Sequence, residues 1–407
     1  MKTYIKLAWR NLWRNKRRTI ITVLSVLFAF FLALVMRSMQ LGSYDLMVES
    51  AVKTSTGYIQ IHALGYWDDK TIDNTFISTD TLESRLLRTS HITSFISRLE
   101  SFALISSGDM TKGIAVIGTD PQKEDEISAL RGRVIKGSYL TSDDKDVLIG
   151  EALAAYLKAD VNDTIVLLSQ GYHGESAQGA YLVKGILRFT SPDMNSSMLY
   201  MPLSAAQSLY SAPQRLTSLS ILLDNKKNMN RVSEELKKID PEKLEVMTWR
   251  ELLPEMVQAI QSDSISGQFM LGILYVVVGF GIFGTILMMT IERRREFGIM
   301  VAVGMHRIKL ALIVFIETII LALVGLVAGA ALSYPIILYY HLHPYMLTGE
   351  TAKAMAEFNV EPVMPFALEP GFFINQSLVV IVLSILAAIY PLTVIGRFKI
   401  ITALRGK

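Results

Sequence analysis

Four long apolar runs divide the chain and set its architecture. A helix needs about 20 apolar residues to cross the hydrocarbon core of a bilayer. The runs reach or approach this length, so they predict four transmembrane helices, at residues 19–40, 266–291, 308–340 and 372–395. The third run would be about 50 Å long as a helix, against a core of about 30 Å. It must therefore tilt, bend near Pro335 or project from the bilayer.

The first run could also be the apolar part of a secretory signal peptide. Its uncharged stretch, 20–36, is 17 residues long, and no small-x-small cleavage site follows it before Arg37. Because signal peptides usually have shorter apolar parts, we predict a retained first transmembrane helix that continues past Arg37 into water.

Residues 41–265 are predicted to form one aqueous domain, because no run within them approaches the length of a span. Alternating apolar positions predict strands, and apolar positions three or four apart predict helices. The predicted strands lie at residues 58–63, 113–118, 147–150, 164–169, 180–188, 197–202, 216–223 and 244–249. The predicted helices lie at residues 80–89, 151–157, 204–210 and 228–239, and a glycine-rich loop is predicted at 170–179. Strands and helices mix without a βαβ rhythm, so the fold class is predicted to be membrane α-helical plus a large α+β domain.

The segment 292–307, ERRREFGIMVAVGMHR, joins the second and third runs and differs from both. Its ends are charged. The apolar positions of its middle are Phe297, Ile299, Met300, Val301, Val303 and Met305. A short helix with an apolar stripe suits a docking element for a soluble partner. It suits an amphipathic helix lying on lipid equally well, and the residues alone leave both interpretations open.

Charge is distributed unevenly, although the formal net charge is only +3. Residues 1–18 carry seven Lys or Arg and no acid, and are predicted to form a basic amphipathic helix on a membrane surface. The 292–309 connection and the tail 396–407 are also basic, whereas the loop 341–371 holds four glutamates against one lysine. The positive-inside rule therefore predicts that both termini and the connection are cytoplasmic, with residues 41–265 and 341–371 outside.

Residues that several kinds of chemistry require are absent from the sequence. There are no cysteines, which excludes disulfides, thiol catalysis and cysteine metal sites. No GxxxxGK[ST] occurs, so the chain has no phosphate-binding loop of its own, and nothing indicates a catalytic site. His341 and His343 lack an evident third ligand, so no metal site is predicted. The small net charge gives no support to a nucleic-acid partner.

Two features of the third run suggest roles inside the membrane. Glu317 lies about 14 Å from the inner end of the run by helix rise, and an acid at that depth should face the bundle or a partner. It could be a structural hydrogen-bonding group or part of a proton relay, but the spans supply no further acid or histidine for a relay. Gly325 and Gly329 permit a close helix contact, either within the bundle or with a second subunit.

Three stretches, taken in chain order, resemble one known family. ERRREFGIMVAVGMHRIKLALIVFIET is similar to the signature of the FtsX-like permeases, an E-R-x-R-E-[FI]-G-I-x-x-A-x-G segment followed by a span that bears an acid. KLAWRNLWRNKRRTIITVLSV resembles the family's first helix and span, and YPLTVIGRFKIITALRGK resembles its closing span and tail. Tyr390, Pro391 and Leu392 replace the family's usual Pro-Ala before the tail.

The resemblance implies a permease subunit of a mechanotransmission-type ABC transporter. Such permeases work as homodimers or heterodimers with a cytoplasmic ABC ATPase dimer, so ATP and Mg would be bound by the partner, and this chain would be neither an enzyme nor a cofactor carrier. Residues 41–265 would form a MacB-like periplasmic core domain with a β-rich insertion near 145–215. Segment 292–307 matches the family's coupling helix. The residues expected to couple to the ATPase are Glu292, Arg293, Arg294, Arg295, Glu296, Phe297, Gly298, Met300, Val303, Gly304 and Met305.

Within the family, the chain is most similar to the lipoprotein-releasing (Lol) permeases of the bacterial inner membrane. Macrolide-exporter permeases fuse an ATPase ahead of the first span, and cell-division permeases generally have a smaller outer domain. The stretch DVLIGEALAAYLKADVNDTIVLLSQ looks like a Lol segment, with Asn162 in place of the usual glycine. SQGYHGESAQGA, short and without proline, stands where one Lol permease type carries a hairpin that recruits a periplasmic carrier.

This resemblance implies a mechanism in which ATPase closure moves segment 292–307 and the outer domains squeeze a lipid-anchored substrate outward. The residues expected to touch its acyl chains are Leu34, Val35, Met39, Phe269, Met270 and Ile273. These side chains could instead be ordinary lipid-facing surface. Export of peptides or drugs with an adaptor, and transmembrane signalling to an outer enzyme, are the alternative functions.

Overall fold

The chain divides into two compact units in the computed structural model, which describes residues 2–14, 16–357 and 362–396. The helical unit comprises Met1–Asp45, Ala259–Tyr345 and Met364–Lys407, and the sheet unit comprises Leu46–Gln258 and Met346–Val363. The sheet unit thus takes in part of the acidic segment that was predicted to be a loop at 341–371. Apart from Gly396, the predicted tail lies outside the described residues.

Long helices dominate the helical unit. The α-helices of the described residues are α1 (Lys2–Arg14), α2 (Lys16–Ala51), α3 (Asp80–Arg88), α4 (Pro121–Ser128), α5 (Glu151–Leu157), α6 (Pro192–Ser197), α7 (Leu203–Leu209), α8 (Met229–Leu236), α9 (Trp249–Leu252), α10 (Pro254–Glu292), α11 (Arg294–Ala302), α12 (Arg307–Leu342), α13 (Glu350–Glu357) and α14 (Pro370–Gly396). Among the described residues, α2, α10, α12 and α14 are long and apolar enough to cross a membrane. Helices α2 and α10 extend well beyond the predicted spans, and one π-helical turn, Val52–Thr56, follows α2.

Small residues allow α2 and α12 to approach each other closely. A Cβ atom on Gly325 would lie 2.6 Å from the Cβ of Val26, and one on Gly329 would lie 3.0 Å from the carbonyl oxygen of Leu27. The glycine pair is therefore used for packing within the chain, one of the two uses left open by the sequence. The apolar core around this contact includes Val26, Phe30, Leu34, Val278, Ile282, Ile286, Leu326, Ile337, Val380 and Ala387.

The sheet unit is built on one mixed sheet. The strands of the described residues are β1 (Ile59–Ala63), β2 (Phe76–Ile77), β3 (Ile92–Ser107), β4 (Met110–Thr119), β5 (Val134–Gly137), β6 (Val147–Gly150), β7 (Thr164–Gln170), β8 (Ser176–Leu187), β9 (Met198–Pro202), β10 (Arg215–Leu216), β11 (Ser218–Leu223), β12 (Leu244–Thr248), β13 (Tyr345–Met346) and β14 (Val363–Met364). Ten of them form a sheet in the order β12-β1-β11-β3-β4-β9-β6-β8-β5, with β7 paired to β3 and β8. Strand pairs β4–β9 and β6–β8 are parallel, and the other pairs of this sheet are antiparallel.

This sheet buries two apolar clusters. One lies beside β6, β7 and β9 and includes Leu99, Ile105, Val116, Ile149, Leu153, Ile165, Leu167, Leu199 and Leu209. The other lies beside β1, β11 and β12 and includes Ile59, Ile61, Leu86, Leu219, Ile221, Val232, Leu236 and Trp249. Each fully buried large aliphatic side chain contributes about 1.5–3 kcal/mol relative to exposure. Residues 145–215, predicted to be a β-rich insertion, supply β6 to β9 to the common sheet and do not form a sheet of their own.

The structure corrects two predictions within this unit. The glycine-rich loop predicted at 170–179 is shorter, because β7 continues to Gln170 and β8 begins at Ser176, where the two strands pair directly. The longest strand of the sheet, β3, was not predicted. Its central residues, Arg98 and Glu100, interrupt the apolar alternation, and Arg98 is nevertheless buried because it pairs with Glu124.

Candidate coupling site

Segment 292–307 forms a short helix between two turns. Helix α10 ends at Glu292, Arg293 leaves helical geometry, and α11 begins at Arg294. At the other end, the amide of Met305 donates to the carbonyl of Met300 at 2.9 Å. Gly304 adopts a φ of +105°, which L side chains rarely adopt. The helix is thus shorter than the predicted 292–307.

One face of α11 packs against α12. Phe297 is 2% exposed and contacts Leu310 and Val314. Gly298 is buried beside it, and Met300 and Met305 are half-buried against the same cluster. Apolar burial therefore fixes which face of α11 is turned away from solvent.

Glu317 connects this helix to α1. It accepts hydrogen bonds from Arg293 Nη1 and Asn11 Nδ2, each at 2.7 Å. Arg293 also lies over the ring of Phe297, 5.1 Å from the centroid. Glu317 and Arg293 are 2% and 5% exposed, so both are removed from water and paired with each other, and Arg293 Nε also donates to Glu296 at 3.4 Å. These are the contacts that a structural hydrogen-bonding role of Glu317 requires.

A ladder of ion pairs adds a second connection. Arg14 pairs with Glu296, and Arg18 pairs with Glu292. The two arginines are four residues apart, as are the two glutamates. The segment that carries the arginines runs opposite to the segment that carries the glutamates, so both pairs form. Partial burial works against ionisation of Glu296, but the hydrogen bond and charge of Arg14 outweigh it, and the pKa of this carboxyl lies below its ordinary value. Glu296 is consequently charged at neutral pH.

The opposite face of α11 is exposed. Arg295, Ile299, Ala302 and Val303 lie at helical spacing along it. Val303 is 84% exposed and Ile299 is 48% exposed, which is unusual for apolar side chains on a charged connection. Glu292, Arg294 and Gly304 are also exposed. The predicted coupling residues thus separate into a buried set, which holds the helix in place, and an exposed set on its outer side.

The residues predicted to touch acyl chains also separate. Phe269, Met270 and Ile273 are exposed on α10. Phe269 and Ile273 line a shallow apolar groove of about 550 Å³ together with Val276 and Val277. Leu34 is fully buried in the core of the helical unit. Val35 and Met39 are half-buried against that core. The structure therefore leaves the α10 residues open to a ligand and encloses Leu34.

Sequence reasoning missed the contribution of α1 and of the beginning of α2. Asn11, Arg14 and Arg18 contact the coupling segment and Glu317, although they were considered only as part of a basic surface. The matching four-residue spacing of Arg14 and Arg18 with Glu292 and Glu296 is the signal that could have found them. His341 and His343 serve structural contacts: His341 Nδ1 lies 2.6 Å from the carbonyl of Phe366, and His343 stacks on Tyr339.

Long apolar helices, a helical connection held by buried charges and a large mixed sheet together define a membrane α-helical protein with an α+β extramembrane domain. Residues 19–239 match the MacB-like periplasmic core domain family, and residues 268–400 match the C-terminal family of FtsX-like permeases. The chain belongs to the FtsX-like permeases that carry a MacB-like periplasmic core domain.

Curated relatives agree with this membership at low identity. The lipoprotein-releasing system transmembrane protein LolE of Haemophilus influenzae is 23% identical over 231 residues, which cover 55% of each chain. The probable export ATP-binding/permease protein MacB of Pseudomonas entomophila is 29% identical over 147 residues, 35% of this chain and 22% of that protein. The matched segments thus span about half or less of these relatives. The crystal structure of the periplasmic region of MacB from Actinobacillus actinomycetemcomitans aligns with a TM-score of 0.36 and 15% identity, covering 52% of this chain and 97% of that one.

Proposed function

We propose that this chain is the permease subunit of a mechanotransmission-type ABC transporter of the bacterial inner membrane. It would work with a separate cytoplasmic ATPase dimer and extract lipoproteins from the membrane for transfer to a periplasmic carrier. The single observation that carries the proposal is the divided surface of α11. Its inner face is fixed by Phe297, Arg293 and Glu317, while its outer face presents Ile299 and Val303.

A helix with one buried face and one exposed face can bind a partner and transmit the partner's movement. An exposed apolar stripe flanked by basic residues can fill a groove on another protein. Because the inner face is tied to α1 and α12, a displacement of α11 would be passed to both helices. ATP and Mg would be bound by the ATPase, and this chain would contribute docking and movement.

The proposed cargo follows from α10. Phe269, Met270 and Ile273 give it a strongly apolar outer surface, which an acyl chain could contact. The similarity to a lipoprotein-releasing system protein supports a lipid-anchored cargo. The similarity to a probable export protein supports a second candidate, export of a peptide or drug. In either case a second permease, identical or different, would complete the complex.

Orientation is part of the proposal. The basic residues of α1 and of the α10–α12 connection favour a cytoplasmic location for both, by the positive-inside rule. The sheet unit would then be periplasmic, and the ladder of ion pairs would lie at the cytoplasmic surface beside the ATPase.

The test begins with docking. The full chain would be copurified with candidate ATPases, and Ile299→Asp and Val303→Asp would be compared with wild type. Leu87→Asp is the matched control, because Leu87 is 77% exposed in the sheet unit. We expect the α11 variants to lose ATPase association at least about tenfold, a difference of about 1.4 kcal/mol, and the control to keep it.

Function is then tested with proteoliposomes that contain the chain, its ATPase and a lipoprotein. We expect ATP to stimulate lipoprotein release, and a periplasmic carrier to increase it. An active ATPase complex that releases no lipoprotein would overturn the proposed cargo. Release of a soluble peptide or drug in its place would support the export candidate.

A further inference from the structure

An unusual turn follows α2 within the sheet unit. Helix α2 gives way to a π-helical turn, Val52–Thr56, closed by a hydrogen bond of 2.8 Å from the amide of Gly57 to the carbonyl of Val52. Gly57 has a φ of +64°, and a Cβ there would lie 2.8 Å from the carbonyl oxygen of Ile221. The turn is thus pressed against β11. Single π-turns are rare and frequently occur at functional sites.

A buried arginine holds this turn. Arg98 Nη1 donates to the carbonyl of Ser55, and the side-chain amide of Gln60 donates to the same oxygen at 3.3 Å. The other guanidinium nitrogens of Arg98 donate to Glu124 at 2.7 and 3.0 Å. Thr119 Oγ1 also donates to Glu124, at 3.0 Å. Arg98 is 2% exposed and Glu124 is fully buried.

Stability alone is a weak reason for this arrangement. Burying an ion pair carries a large desolvation cost, and well-packed apolar residues in its place are often neutral or stabilising. What apolar residues could not reproduce is the bond from Arg98 to the carbonyl of Ser55. Glu124 directs the guanidinium by accepting from Nε and Nη2, which leaves Nη1 aimed at the turn.

The beginning of α10 lies in the same apolar cluster. Val52 of the turn packs in one cluster with Trp249 of α9 and with Met256 and Val257 of α10. The amide of Trp249 donates to the carbonyl of Tyr58 at 3.0 Å, just after the turn. Apolar contacts resist separation but permit sliding, since they are not directional. The hydrogen bond from Arg98 to the carbonyl of Ser55 is directional, so it can resist sliding of the turn.

We infer that Arg98 is a positioning residue for force transmission, fixing the rotational setting of the outer end of α2 against the sheet. The inference rests on the proposed function, because it assigns the path by which helix movement reaches the sheet unit. Without Arg98, the π-turn would rotate or slide on β11, and movement of α2 would be absorbed there.

The test uses the paired variant Arg98→Met/Glu124→Met, which removes both charges of the buried pair. Glu100, whose carboxylate lies 3.7 Å from Arg98 Nη1, loses its cation in this variant but keeps about a third of its side chain exposed to water. Its matched control is Arg188→Met/Glu151→Met, which removes an exposed pair of the same sheet unit. Hydrogen exchange of the full chain in nanodiscs, without ATPase or cargo, would report on residues 52–58. We expect exchange there to rise at least about tenfold in the paired variant, with thermal unfolding and exchange in β6 and β9 unchanged.

The second arm uses the complex with its ATPase. We expect the paired variant to hydrolyse ATP within about twofold of wild type and to lose at least about tenfold of ATP-driven lipoprotein release. Unchanged exchange at 52–58 would overturn the positioning role, and full release despite faster exchange would overturn the transmission role. Parallel losses of exchange protection throughout the sheet unit would mean that the pair only stabilises the fold. If wild type itself releases nothing, the proposed function fails, while the exchange arm still decides whether Arg98 positions the turn.

Discussion

Arg293 and Glu317 face each other at 2.7 Å across the junction of α11 and α12, with 23 residues of chain between them. Both are buried, and Asn11 of α1 binds the second carboxylate oxygen of Glu317. One carboxylate of α12 therefore joins α1 to the turn between α10 and α11, at the place where the coupling segment meets the bundle. The consequences of disturbing it differ from those of disturbing the exposed ion pairs nearby.

Removing Glu317 alone should be costly. Glu317→Leu leaves the buried Arg293 with only Glu296, 3.4 Å from its Nε, and breaking a buried pair in this way typically costs about 3–5 kcal/mol. The paired variant Arg293→Met/Glu317→Leu should recover most of that loss. Unfolding in detergent measures both, and Lys136→Met, which breaks an exposed pair of the sheet unit, is the control. A cost for Glu317→Leu no larger than the control's would contradict a network essential to the junction.

Reversing the charges of Arg14 on α1 and Arg18 at the beginning of α2 should loosen α1 with little effect on global stability. Arg14→Glu/Arg18→Glu places acids beside Glu292 and Glu296, while exposed pairs are each worth only about 0.2–1 kcal/mol. Limited proteolysis within residues 2–14 should accelerate, and Glu292→Arg/Glu296→Arg in the same chain should restore protection. Failure of the fourfold variant to restore it would mean that the pairing is incidental. Because the pKa of Glu296 is lowered by Arg14, protection should persist at pH values above its ordinary range and decline as acid protonates the carboxyl.

The coupling role of α11 predicts an uncoupled variant. Gly298→Pro lies inside the helix, where proline costs about 3 kcal/mol through its lost N–H and steric clash. Glu296→Lys breaks the pair with Arg14. We expect both to reduce ATPase association and stimulation, measured by pull-down and ATP hydrolysis. Glu255→Lys, at the exposed beginning of α10, is the matched charge reversal. Unchanged association and stimulation in both variants would rule out this role.

We predict that acid lowers the stability of the sheet unit, because His62 is buried in it. Burial lowers the pKa of His62 from 6.5 to about 4, despite the bond of Nδ1 to the carbonyl of Thr217. Between these values the unfolded chain binds a proton that the folded chain excludes, so the free energy of unfolding should fall as pH drops from 6.5 to 4. The maximal loss is about 3 kcal/mol at 1.36 kcal/mol per pKa unit. Denaturation at pH 7 and pH 4.5 should reveal it.

His62→Phe should remove most of this pH dependence. His173→Asn is the control, because His173 is exposed and its φ of +55° suits asparagine. An equal pH slope in wild type and His62→Phe would show that other groups cause the acid sensitivity.

Apolar periodicity predicted the elements that are defined by the length or the amphipathicity of an apolar run. The four long helices are visible in the sequence because nothing but a bilayer or a deep core requires such runs. Several strands, such as β6 at Val147–Gly150, also followed from short apolar stretches. Strand β3 could not be predicted in this way, because burial of Arg98 depends on Glu124, a partner that lies on α4.

The coupling site could be predicted only in part from the sequence, for the same reason. The charged and apolar residues of 292–307 indicated a docking element, but not which face is free. That depends on Leu310, Val314 and Glu317, which become neighbours of α11 only after the chain turns at Gly304. The participation of Asn11 depends on contacts between residues 306 positions apart, which local pattern does not encode.

The pairing of β1 with β12 has an evolutionary consequence. Ile59 lies opposite Thr248 in the antiparallel register, so the chain enters and leaves the sheet on neighbouring strands. Domains whose ends lie close together can be inserted into a host chain, and exchanged, with little disturbance of the host. The segment between these two residues is therefore a natural cassette. Chimaeras that replace it with the corresponding segment of a relative could change what the protein recognises while its membrane helices and their connection to a partner stay the same.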